Sequence, residues 1–138
     1  MTETITSPTD DEPAWPVATG IFWGLVFAAL IGVWKASQEV GLATWWRGPR
    51  SAPRPVPVQV LPLIAPSVMV IGAMFRWPRL AWVGVGAGLV TTVIGLGDLA
   101  GVPKLALVEI ALGAAGVVFS LAALAAGRAS GARPGARK

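Results

Sequence analysis

The sequence predicts an all-α polytopic membrane protein, with four transmembrane helices in a compact bundle and a kink in the second. Three observations carry that prediction. Of the 138 residues, 54% are hydrophobic and only 13% charged, and the mean hydropathy is +0.67; an ordinary soluble domain carries roughly a quarter charged residues. The apolar residues fall in uncharged blocks, 13–34, 55–75, 80–97 and 110–127. Each is close to the roughly 20 residues that carry an α-helix across a hydrocarbon core about 30 Å thick. Finally, none of the blocks shows the polar stripe that a helix of a soluble bundle presents to water.

Taken in order, residues 1–14 are acidic (Glu3, Asp10, Asp11, Glu12) and rich in Thr, Ser and Pro. They read as a disordered lead-in. The first basic residue is Lys35, so the chain lacks the positive start of a signal peptide and the first span is expected to be retained. That span covers about 15–34, with Trp15 and Trp34 near its ends as interface anchors, where an indole ring is half solvated. Gly20, Gly24, Ala28 and Gly32 recur every fourth residue and make one smooth face for a close helix neighbour.

Residues 35–57 are the longest connection. The first part either extends span one or lies along the interface. Trp45, Trp46 and Arg47 suit the headgroup layer, and Pro49, Pro53, Pro55 and Pro57 keep the rest extended. This is an interfacial tether or a docking loop. Span two covers about 58–75. Pro62 and Pro66 lie in its first half, where each removes a backbone donor and bends a helix. The four residues RWPR that follow, with Trp77 as a further anchor, close a tight hairpin into span three, about 80–97. Gly84 and Gly88 give that span a second small-residue face. Span four covers about 103–126, with Pro103 in the first turn, where no donor is lost. Small residues recur on it as Ala111 with Ala115 and Gly116 with Ser120. The tail 128–138, RASGARPGARK from Arg128, reads as disordered and basic, and suits anionic lipid better than nucleic acid.

Chemistry is sparse. There is no cysteine and no histidine, which removes disulfides, thiol catalysis, cysteine metal sites and the commonest general base. The glycines of span three follow no strand and form no phosphate loop. No nucleophile or metal set accompanies the acids. The chain is expected to be no enzyme, to hold no cofactor and no metal, and to bind no nucleic acid.

One cluster stands apart. Asp98 ends span three, Lys104 begins span four, and Glu109 lies five residues further on. At 1.5 Å per residue Glu109 sits about 7–8 Å deeper than Lys104, and an ionisable residue within a span is a functional-site hypothesis by default. Three readings stand. Glu109 pairs with Lys104 or with Arg47 from the long loop; it bonds a partner subunit; or, with Asp98, it binds a proton or a cation.

With four spans both termini lie on one side. Placing them in the cytoplasm puts six basic residues inside (Arg76, Arg79, Arg128, Arg133, Arg137, Lys138) and five outside (Lys35, Arg47, Arg50, Arg54, Lys104). The bias is slight, but the basic tail and the RWPR turn agree with it. Abundant Ala, Gly, Arg and Pro point to a GC-rich bacterial genome and so to a bacterial cytoplasmic membrane. The expected function is that of a small, non-enzymatic accessory or scaffold subunit of a larger membrane assembly. Its partners are the lipid bilayer and either another membrane protein or a second copy. The alternative is a small oligomeric transporter or channel, coupled to protons or cations through Glu109.

Overall fold

A computed structural model describes residues 14–131, and every regular element among them is a helix. In chain order these are α1 (Ala14–Val40), α2 (Val56–Gln59), α3 (Leu61–Met74), α4 (Leu80–Asp98) and α5 (Pro103–Gly131). Three helices are long and apolar enough to cross a membrane, over Trp15–Val40, Leu80–Asp98 and Pro103–Arg128, while Leu61–Met74 is apolar but shorter. The acidic lead-in and the basic tail, both expected to be disordered, lie outside the described residues except for Ala14 and 128–131, which are helical.

Of the two expectations for the segment after Trp34, the structure adopts the first: α1 continues through Ser37 to Val40. Its 27 residues make a rod of about 40 Å, longer than a hydrocarbon core of about 30 Å. The helix stops at Gly41, whose φ is +75°, a left-handed cap that glycine enters without a Cβ penalty. Residues 41–55 then fold back on themselves. The Gly48 N–H donates to Thr44 O at 2.8 Å and the Arg54 N–H to Arg47 O at 2.8 Å. Gly48 also has φ +75°, and a Cβ there would stand 2.9 Å from Ala52 O.

The second apolar block becomes two helices. Val60, at φ −90° and ψ −7°, ends α2 and precedes α3. Pro62 falls in the first turn of α3, which needs no donor from it, and Pro66 lies inside the helix. So α3 starts at Leu61, three residues later than the expected 58. It ends in a left-handed cap with Arg76 at φ 50°. There the Arg76 N–H donates to Ala73 O at 3.2 Å and the Trp77 N–H to Gly72 O at 3.0 Å, the paired bonds of a Schellman motif.

The tightest packing is between α4 and α5. Gly84, Gly88, Thr91, Gly95 and Asp98 are buried along one edge of α4, and Ala106, Glu109, Gly113, Gly116 and Ser120 along one edge of α5, with Val102 buried just before it. Their alternating three- and four-residue spacing keeps each set on the contact seam. Small side chains let the backbones approach closely. A Cβ on Gly88 would stand 2.7 Å from both Gly113 O and Val117 N, and one on Gly95 2.8 Å from Ile110 N. Across the bundle, Trp23, Val26, Leu30, Met69, Ala73, Leu80 and Ala87 form the apolar core. Trp23 is completely enclosed and lies over Gly116, where a Cβ would come within 2.8 Å of the ring. Phe22 stacks on Phe119 with ring centroids 4.4 Å apart.

The bundle has two ends. Trp15, Arg76, Trp77, Ala123 and Gly127 line one cavity at the first end, which joins the start of α1, the α3–α4 turn and the end of α5. The folded loop and the α4–α5 turn meet at the other.

Candidate functional site

The candidate site is at that second end, where the 41–55 loop lies on the last turn of α4. The Trp45 N–H donates to Asp98 Oδ1 at 2.7 Å, and the Trp45 indole N–H donates to Ile94 O at 3.0 Å. Gly97 makes room for that ring, since a Cβ there would meet Trp45 Cδ1 at 2.8 Å. The turn is drawn in from below as well, by the Val102 N–H, which donates to Asp98 O at 2.8 Å. Pro103 then opens α5, as expected for a residue without an N–H.

Helical spacing brings Glu109 onto the α5 seam, opposite Gly95, where a Cβ would lie 2.9 Å from Glu109 Cβ. Its carboxyl therefore points between the two helices and towards Asp98. Glu109 is 0% exposed, Asp98 2% and Trp46 2%. The two carboxyls and the Trp46 indole N–H stand close enough to act on one another. Yet Trp46 Nε1, Asp98 Oδ2 and both Glu109 oxygens have no hydrogen-bond partner among the described residues. Ionised carboxylates only accept, so two of them cannot bond each other. Burying a polar group without a partner costs about 1–3 kcal/mol, and an unpaired charge costs more.

The sequence-predicted residues thus divide. Asp98 and Glu109 come together. Lys104 is exposed, and Arg47 turns away, its Nη1 donating to Ser37 Oγ at 3.1 Å. Among the described residues, no basic group acts on either acid. The expected pairing of Glu109 with Lys104 or Arg47 is not formed. The reason is register: Glu109 faces the seam, whereas Lys104 lies on the outer surface of α5.

The tryptophans divide too. Trp15, Trp45 and Trp77 are 40%, 40% and 41% exposed, as suits rings that reach the surface. Trp34 is half-buried. Trp46, expected beside Trp45 in the headgroup layer, is instead buried over the acids. Of the packing residues, Gly84 and Gly88 lie in the α4–α5 seam, with Gly84 against Ser120. On α1, a Cβ on Gly20 would stand 3.5 Å from Ala73 Cβ, while one on Gly24 or Gly32 would meet nothing within 4 Å, and Ala28 is exposed. Ala111 and Ala115 are exposed, and Gly113 takes the inner position.

Sequence reasoning missed Gly95, Gly97 and Gly113, and the role of Trp46 as a lid. A signal for the glycines was present. The series 84, 88, 91, 95, 98 and 106, 109, 113, 116, 120 carry a 4–3 repeat of small or acidic residues, and both acids fall in register with it. Nothing local marks Trp46, because its burial depends on where a loop lands. The chain matches no protein-family model, no curated protein and no solved structure.

Proposed function

We propose that this chain is a four-span integral membrane protein, with α3 and the short α2 forming a proline-kinked second crossing. It acts without catalysis, as an accessory or scaffold subunit that binds a transmembrane helix of another membrane protein. The observation that carries this reading is the face of α1. Ala28 and Gly32 are exposed, Gly24 is half-buried beside Ser67 and Val70 of α3, and a Cβ on either glycine would meet nothing within 4 Å among the described residues, which leaves this small-residue face room for a closely approaching helix. Small-residue faces of this kind let helix backbones meet within lipid.

Four crossings are supported by the alternation of the helices between the two ends and by the apolar surface of α3, on which Ile64 and Ile71 are exposed. At 14 residues, α3 is about 21 Å long, a mismatch that local bilayer thinning accommodates at modest cost. The setting is a bacterial cytoplasmic membrane with both termini cytoplasmic, supported by composition and by the basic tail and turn. The chain has no cysteine, so single cysteines at positions 5, 52 and 135 report sidedness directly. Positions 5 and 135 should label from one side and 52 from the other. Labelling of 5 and 135 from opposite sides sinks the four-span reading.

The partner is tested in native membranes. Ala28→Cys should cross-link to a larger membrane protein, and Gly24→Leu with Gly32→Leu should abolish co-purification in mild detergent while leaving helical content unchanged. A cross-linked dimer of the chain makes the occupant a second copy. A protein that purifies alone, with the double variant indistinguishable from it, refutes the reading.

A second reading, an oligomeric transporter or channel coupled to protons or cations, is favoured by one observation: two buried acids meet with no base between them. Glu109→Gln should then abolish flux in proteoliposomes with the fold intact, and unchanged flux eliminates this reading.

A further inference from the structure

We propose that Asp98 and Glu109 form a proton-binding site in which the two carboxyls share a single proton beneath Trp46. The inference rests on the acid pair used by the second reading above, and not on transport.

The hydrogen-bond inventory points to the proton. Asp98 Oδ1 already accepts the Trp45 N–H. Four enclosed atoms remain: Trp46 Nε1, Asp98 Oδ2, Glu109 Oε1 and Glu109 Oε2. With both acids ionised these are one donor and three acceptors. One added proton on Glu109 makes two donors and two acceptors. Glu109 O–H then donates to Asp98 Oδ2, and the Trp46 indole N–H donates to the other Glu109 oxygen. Thr44 Oγ1 in the same loop is also buried and unpartnered, but a hydroxyl both donates and accepts, so the deficit is unchanged. Trp46 Nε1, on a residue 2% exposed, without a partner and held towards the acids by its own loop, can satisfy one of the three acceptors; the other two face each other with no donor, and that shortage is what a proton fills.

Among the described residues, no charged neighbour competes with the proton. On α5, Lys104 is exposed; on the loop, Arg47 is engaged with Ser37 and Arg50 and Arg54 face outward; on α1, Lys35 and Glu39 are exposed. A proton also needs no cavity of its own, and it replaces the repulsion of two adjacent carboxylates by a hydrogen bond.

The test is infrared difference spectroscopy on the full chain in nanodiscs, with 5-fluorotryptophan NMR of the same protein. At neutral pH the wild type should show one C=O band of a protonated carboxylic acid, and Glu109→Gln should lose it. The glutamine supplies the missing donor permanently, so this variant should fold with the loop closed. Raising the pH should shift the Trp46 resonance in the wild type and leave it fixed in Glu109→Gln. The inference is overturned if the wild type shows no such band or if the band survives Glu109→Gln. It is also overturned if the Trp46 resonance follows added Na⁺, K⁺ or Ca²⁺ at constant pH. Flux is measured separately: a protein that shows the band and its loss, but no flux, keeps the site and removes only the transporter reading.

Discussion

Replacing Gly88 by alanine puts a methyl carbon 2.7 Å from two backbone atoms of α5, Gly113 O and Val117 N. An ordinary contact starts at 3.4 Å, so the seam must open by about 0.7 Å. Backbone cannot rotate away as a flexible side chain can. Overpacking of this kind costs about 1–3 kcal/mol. Alanine also gains up to about 1 kcal/mol in helix propensity over glycine, which partly masks the cost. Gly86 removes that ambiguity. It lies two residues away on the other side of α4, with nothing within 4 Å of its Cβ position. Gly86→Ala receives the same propensity gain without the clash. The difference between the two variants is therefore the packing term alone, roughly 5- to 150-fold in the unfolding equilibrium constant. The assay is reversible unfolding in mixed micelles of rising SDS fraction, followed by helical circular dichroism. Equal stability of Gly88→Ala and Gly86→Ala would falsify the close-packed seam.

Other outcomes follow from the same geometry. Trp23→Ala empties the centre of the core and should lower stability by about 3–5 kcal/mol, whereas Trp82→Ala, at a position 57% exposed, should change it by less than about 0.5 kcal/mol; thermal unfolding in detergent separates the two. Gly97→Leu displaces the Trp45 ring and its bond to Ile94 O, so trypsin should cut after Arg47 and Arg50 faster than in the wild type, and an unchanged cleavage rate counts against loop docking. Asp98→Ala leaves the Trp45 N–H without its acceptor at a cost of about 1–3 kcal/mol, while Asp98→Asn keeps an oxygen there; only the alanine variant should free the loop in the same proteolysis assay. Gly41→Ala must hold φ near +75° with a Cβ, costing about 1–2 kcal/mol, measured again by SDS unfolding.

Much of this protein is written locally. Uncharged blocks determine the apolar helices, because a backbone in lipid must satisfy its own polar groups. Pro103 and Gly41 mark a helix start and stop through their allowed φ values. The 4–3 spacing of Gly84, Gly88, Thr91 and Gly95 on α4, and of Ala106, Gly113 and Gly116 around Glu109 on α5, encodes the seam and places Asp98 and Glu109 on it, since helical periodicity is a property of the chain alone. Other features depend on distant segments. Whether Glu109 meets a base was decided by which face of α5 turned inward, and that face left Lys104 outside. Arg47 was free to reach several acceptors, and the fold supplied Ser37. Trp45 and Trp46 are adjacent and chemically identical, yet one ring lies on the surface of α4 and the other closes over two acids. Their difference arises from the path of a loop whose landing point lies some fifty residues further along the chain, which no local preference specifies.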